Sequence, residues 1–125
     1  YEPQPTSADA ISSAARAISE TLKLAAIVCY TGSGSTGVRM SRERPDAPVI
    51  ALTPIPATAR RLALVWGLHC VLTEDARDLD DMVTRATRIA REEGFADTGQ
   101  RIIITAGLPL GTPGATNMIR IAYVG

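Results

Sequence analysis

The stretch that most limits what this chain can fold into is residues 25–37, AAIVCYTGSGSTG. Ala25, Ala26, Ile27, Val28, Cys29 and Tyr30 form a short apolar run, the pattern of a strand buried on both faces as in a parallel sheet. It stops at Thr31, Gly32, Ser33, Gly34, Ser35 and Thr36, where every side chain is a hydroxyl or a hydrogen. Gly37 to Arg44 can then continue as a helix until Pro45 ends it. In such a strand, turn and helix the glycines let backbone N–H groups face inward, the hydroxyls add donors, and the helix contributes its positive end. An anion without a bulky base fits that set, phosphate first. An ordinary strand-to-helix connection needs one cap, and six consecutive small residues exceed it.

The flanking chain repeats the alternation. Tyr1 to Pro5 is extended and reads as a linker (1–5), with the domain at 6–125. Thr6 is a good N-cap with Asp9 as the capping-box acid, and Ile11, Ala14, Ala15, Ile18 and Leu22 fall on one helical face up to about Lys23. A second strand follows at 48–52, then a helix over 57–66 with the stripe Ala59, Leu62, Ala63 and Trp66 and with Gly67 suited to its C′ position. Residues 68–72 form a third strand. Asp78 caps a helix in which Leu79, Met82, Val83, Ala86, Ile89 and Ala90 repeat with the helical period, and Gly94 ends it. Residues 101–106 are a fourth strand and 118–124 a fifth, separated by the glycine- and proline-rich loop 107–117.

The fold class is therefore three-layer α/β/α with a five-stranded, mostly parallel sheet. A parallel crossover needs a helix, and none separates the last two strands, so the fifth is expected antiparallel at an edge. Ligands of such sheets sit at the carboxyl ends of the strands near the switch in strand order. That puts the turns 31–36 and 53–56 and the loop 107–117 on one rim.

Three sharper readings of the central turn fail on the residues. Gly32, Gly34 and Gly37 match the dinucleotide fingerprint, but the second strand ends Ala51-Leu52-Thr53-Pro54 without the acid that would hold a ribose. Gly32 and Gly37 have P-loop spacing, but Val38 stands where lysine is required. The one lysine, Lys23, precedes the first strand and falls on the opposite rim, about 20 Å away at roughly 3.3 Å per residue. A phospho-aspartate receiver needs carboxylates at the ends of the first and third strands, which read Tyr30-Thr31 and Leu72-Thr73-Glu74. Without lysine, three or four hydroxyl or N–H donors at roughly 1.5–3 kcal/mol each still give micromolar phosphate binding.

Charge and composition exclude other partners. Thirteen basic and 13 acidic residues cancel, which gives no footprint for nucleic acid or an anionic membrane. The longest apolar run, residues 24–30, is too short to span a bilayer, and no signal-peptide pattern opens the chain. Cys29 and Cys70 lie in separate strands and read as buried reduced thiols of a cytoplasmic protein, with no metal spacing. His69 reads as a core or edge histidine, and Arg39, Arg42 and Arg44 as a solvated or interface face. Asp78, Asp80 and Asp81 read as cap and first-turn charges, and Trp66 as helix-face core or subunit contact.

The segments TSADAISSAARAISETLKLAAIVCYTGSG, RERPDAPVIALTP, TARRLALVWGLHCVL and ITAGLPLGTPGATNMIRI resemble, in that order and over nearly the whole chain, the C-terminal domain of bacterial pyruvate kinases. The resemblance implies a catalytic (β/α)₈ barrel preceding this domain. That barrel supplies the lysine, the magnesium-binding carboxylates and the potassium site for moving phosphate from phosphoenolpyruvate to ADP. No cofactor and no catalytic residue is then expected here. It also implies an allosteric site: the turn of Thr31, Gly32, Ser33, Gly34, Ser35 and Thr36 grips the phosphate of an effector. The loop of Gly107, Leu108, Gly111, Thr112 and Gly114 closes over the rest. The terminal strand and neighbouring helices build a homotetramer interface.

Animal members that bind fructose 1,6-bisphosphate carry an Arg at the position of Ser35, and a Trp and an Arg at those of Leu108 and Pro109. Their connection at 73–77 is longer. These departures favour a monophosphate effector, a sugar or a nucleotide. The competing expectation is a domain serving assembly alone.

Overall fold

The computed structural model describes residues 7–31, 35–43, 45–74, 78–106 and 118–125. In chain order the elements are α1 (Ser7–Leu22), β1 (Ala26–Tyr30), α2 (Ser35–Arg42), β2 (Val49–Thr53), α3 (Pro56–Leu62), β3 (Leu68–Leu72), α4 (Leu79–Glu92), β4 (Arg101–Ala106) and β5 (Met118–Tyr123). The strands form one sheet in the order β3-β2-β1-β4-β5. Four are parallel, and β5 runs antiparallel beside β4, with Ile103 opposite Ile121. The expected three-layer α/β/α class, with an antiparallel edge strand, is what the chain adopts.

Every residue of β1 and β2 is buried, because helices cover both faces of the sheet centre. Ile27 and Cys29 point to the side where Ala15 of α1 and Met40 of α2 pack, together with Val49 and Ile103. Val28 and Tyr30 point to the other side, against Met82, Ala86, Ile89 and Ala90 of α4, together with Ile50, Leu52, Ile102 and Ile104. Each fully buried Ile or Leu contributes about 1.5–3 kcal/mol relative to exposure. The edge strand β3 is only partly covered, so Cys70 is half-buried rather than buried as expected, whereas Cys29 is fully buried.

Two helices depart from their expected faces. In α1 the buried positions are Ser12, Ala15 and Ser19, while Ala14 and Leu22 are exposed. Small residues let the helix lie close to the sheet, and the apolar periodicity overstated Ala14 and Leu22. The cap at Thr6 lies outside the described residues. α3 stops at Leu62 rather than continuing to residue 66, because the amides of Leu64 and Val65 turn back to the carbonyls of Arg61 and Leu62 in tight i→i−3 bonds. Ala63 is exposed and Trp66 stands 86% exposed, so Trp66 is not core. Gly67, at φ 78°, sits in the bend that leads into β3 rather than at the helix end. α4 matches its expected face, and Asp78 Oδ1 accepts the Asp81 amide at 2.8 Å, a true N-cap.

Ser12 Oγ is buried without a hydrogen-bond partner among the described residues. A Ser12→Ala variant removes that orphaned hydroxyl and improves helix propensity, so it is expected to stabilise the domain by about 0.5–1.5 kcal/mol. A rise in the urea midpoint at constant slope checks it.

Candidate functional site

β1, β2, β3 and β4 share one direction, so their carboxyl ends form one rim. From β1 the chain crosses through α2 to β2, and onward through α3 to β3. From β3 it returns through α4, on the other face, to β4. The connections therefore diverge between β1 and β4, and the crevice outside those two strand ends is the topological switch point where open α/β sheets take their ligands. Thr31 leaves β1 at this crevice, and Ala106 ends β4 beside it.

Thr31 is 4% exposed, and its amide donates to the Leu52 carbonyl at 2.9 Å, which fixes the outgoing backbone of β1 against β2. Ser35 and Thr36 open α2 as its first helical residues rather than standing before it, so the helix amino end is nearer the strand than the sequence pattern suggests. Gly37 follows. A Cβ there would come 3.3 Å from Ala51 Cβ and 3.4 Å from Leu68 Cδ2, tight enough that a larger residue would press α2 away from β2 and β3 by a few tenths of an ångström. Arg39 and Arg42 lie in the last turn, where they suit the negative end of the helix. Gly32, Ser33 and Gly34, and the expected effector loop with Gly107, Leu108, Gly111, Thr112 and Gly114, lie outside the described residues.

On the α4 side the rim holds a polar cluster that the sequence did not single out. Tyr30, the last residue of β1, is 8% exposed, and its hydroxyl donates to the Glu74 carbonyl at 2.8 Å. Arg85 Nε donates to Asp81 Oδ2 at 3.0 Å, with side-chain exposures of 15% and 12%, and its Nη2 stands 3.6 Å from Glu74 Oε2. The Asp81 hydrogen bond, above other causes, pushes the Arg85 pKa up. The i, i+4 spacing of Asp81 and Arg85 is a signal that could have found this pair. Nothing local marks Tyr30, whose partner is 44 residues away.

The remaining candidates stand apart from the crevice. Lys23 follows α1 at the amino end of β1, on the opposite rim, with φ 53°. The His69 ring, on the edge strand, lies 5.0 Å from the Phe95 ring at a tilt of 55°, and its Nε2 is 3.6 Å from Glu93 Oε1. Burial pushes the Cys29 thiol up to about 12, partly opposed by the Thr105 hydroxyl, so it is protonated and unreactive at neutral pH. Among the described residues no three His, Cys, Asp or Glu side chains gather as a metal site, and no helix is long and apolar enough to cross a membrane.

A mostly parallel sheet with a crevice at its switch point, bordered by a short helix held down by glycine, defines an α/β domain of the three-layer class. Residues 9–122 match the family described as the pyruvate kinase alpha/beta domain, and the chain belongs to that family. It is 56% identical over 123 residues to a pyruvate kinase of Methylorubrum extorquens, a match covering 98% of this chain and 26% of that protein. It is 46% identical over 104 residues to one of Staphylococcus haemolyticus, covering 83% and 18%, and 39% identical over 126 residues to one of Agrobacterium vitis, covering 99% and 27%. The chain thus spans about a quarter or less of the length of these bacterial relatives.

Proposed function

We propose that this domain is the regulatory and oligomerisation module of a pyruvate kinase and that its central turn seats the phosphate of an effector. The observation that carries the reading is the meeting, at the β1/β4 switch point, of the strand end at Thr31 with the amino end of α2. Thr31, Gly32, Ser33, Gly34, Ser35 and Thr36 are the proposed phosphate donors. Gly107, Leu108, Gly111, Thr112 and Gly114 are the proposed cover. The parent protein transfers phosphate from phosphoenolpyruvate to ADP, giving pyruvate and ATP in the cytoplasm. Its magnesium and potassium, and all catalytic side chains, belong to a barrel outside this sequence.

A second reading, assembly without an effector, draws on β5. This strand ends the sheet order, and Ile121 and Tyr123 on it are 40% and 70% exposed. An open edge with apolar side chains suits pairing with a second copy within a tetramer. Calorimetric titration with glucose 6-phosphate, ribose 5-phosphate, AMP and fructose 1,6-bisphosphate separates the readings. Micromolar binding of a monophosphate, with no tighter binding of the bisphosphate, is expected. No heat from any ligand, alongside self-association in sedimentation, leaves assembly alone.

A further inference from the structure

We infer that Leu64 and Trp66 form the anchor on which the preceding domain of the parent polypeptide seats, at the amino rim of the sheet beside β3. The inference rests on the reading of this chain as one part of a longer pyruvate kinase polypeptide.

Leu64 and Trp66 are the two most exposed large apolar side chains among the described residues, at 90% and 86%, and they stand two positions apart. The bend that carries them is fixed. Leu62 holds it to the core, and the Leu64 and Val65 amides are bonded to the Arg61 and Leu62 carbonyls. Beyond the bend, Leu68 is in register with Val49 of β2. Gly67 takes φ 78°, and a Cβ there would meet nothing within 4 Å, so this glycine serves the reversal itself and not a close contact. An indole and a leucine held rigidly in water are the usual form of a contact anchor, since little ordering remains to oppose their burial. Arg60 is exposed four residues before Leu64, so the complementary surface is an apolar recess with carboxylate at its margin.

A second copy is held too weakly by this pair. A Trp at this exposure offers about 200 Å² and Leu64 somewhat less, so the pair brings roughly 300–400 Å², and a contact about twice that in total. Stable association of separate molecules takes about 1,200–2,000 Å². Contacts between domains of one chain start at about 600 Å², because closure is intramolecular at an effective concentration around the millimolar range. The β5 edge lies at the other end of the sheet and suits a second copy better, because one edge strand can pair antiparallel with its own copy about a two-fold axis. The occupant at Leu64 and Trp66 comes instead from the roughly three quarters of the relatives' length that this chain does not cover, since the match spans 26% of the Methylorubrum extorquens protein. A body of that length is on the order of 50 Å across, against about 20 Å for five strands, so it reaches either edge. α1 packs back along β1, so its Ser7 end lies towards the carboxyl rim, whereas Leu64 and Trp66 lie at the amino rim. A domain joined ahead of α1 and seated on Trp66 holds this sheet at both rims, and the two domains then turn as one rigid body.

Oxidation of Trp66 by hydroxyl radicals, read by mass on its peptide, is compared in the 125-residue chain and in the full parent polypeptide. It is expected to be slower in the parent by about tenfold or more, as a tethered contact that stays closed requires. In the parent, a Leu64→Ser/Trp66→Ser double variant should raise amide exchange at 60–72 to the rate of the separate chain, lower the thermal midpoint and leave the sedimentation mass unchanged. In the separate chain the same variant should leave the urea midpoint where it was. Equal Trp66 oxidation in the chain and the parent overturns the contact. A fall in sedimentation mass of the variant parent, or Trp66 protection in the separate chain that grows with its concentration, assigns the pair to a second copy and overturns the occupant. A parent without phosphotransfer removes the pyruvate kinase reading, and the oxidation comparison still decides the contact.

Discussion

An Ile103→Ala variant is expected to lose about 2–5 kcal/mol of stability, the range for deleting a fully buried branched side chain from a core that cannot collapse around the cavity. Ile103 is 0% exposed and sits near the middle of β4, opposite Ile27 of β1 on one side and Ile121 of β5 on the other. Its side chain fills the layer between the sheet and α1 and α2 with Ala15, Ile27, Cys29, Met40 and Val49. The backbone around it is held by ladders on both flanks, so the strand cannot move inward to fill the void. Domains of this size hold about 5–15 kcal/mol in total, so the loss takes a large share. The thermal midpoint should fall by about 10–20 °C. The contrast is Leu64→Ser: Leu64 is 90% exposed and its replacement should stay within about 0.5 kcal/mol. Urea unfolding of both at constant slope decides. An Ile103→Ala loss below 1 kcal/mol would mean that the core on this side of the sheet is not packed as described.

The sheet was legible in the sequence because its signals are local. Runs such as 101–106 and 68–72 are short and largely apolar, and each begins and ends where the pattern says. The direction of β5 followed from the missing helix before it, a purely topological argument. Periodicity failed where length or residue size decided instead. Ala63 and Trp66 continue the α3 stripe on paper, but Leu64 and Val65 close the turn one residue early, and the stripe ends in solvent. In α1 the buried face of Ser12, Ala15 and Ser19 is the expected stripe of Ile11, Ala14 and Ile18 moved on by one residue, and an apolarity count prefers the wrong one. At the rim, the hydroxyl-rich turn announces itself. Tyr30 does not, since its bond to Glu74 exists only once three strands have been laid side by side. Composition names residues that can donate to an anion; the switch point between β1 and β4 says where such donors would be used.

Removing two of those donors together is expected to have the largest effect on binding. On the proposed reading, a Ser33→Ala/Thr36→Ala double variant loses two hydroxyl donors to an ionised phosphate, each contributing roughly 1.5–3 kcal/mol where water is partly excluded. At tenfold per 1.4 kcal/mol, affinity for glucose 6-phosphate should fall on the order of 10²–10⁴-fold, beyond calorimetric detection if wild type binds in the micromolar range. Stability should change little, because the substitutions remove only one and two heavy atoms and alanine is a good helix former at position 36. The residual backbone donors and the α2 dipole favour the phosphate dianion, whose last proton leaves with a pKa near 6. Wild-type affinity should therefore strengthen as pH rises from about 5 to 7.5, and any residual binding by the double variant should keep that dependence. A double variant that binds as wild type does, with the same pH slope, would move the anion away from the turn and leave the β1/β4 crevice without the role argued for it.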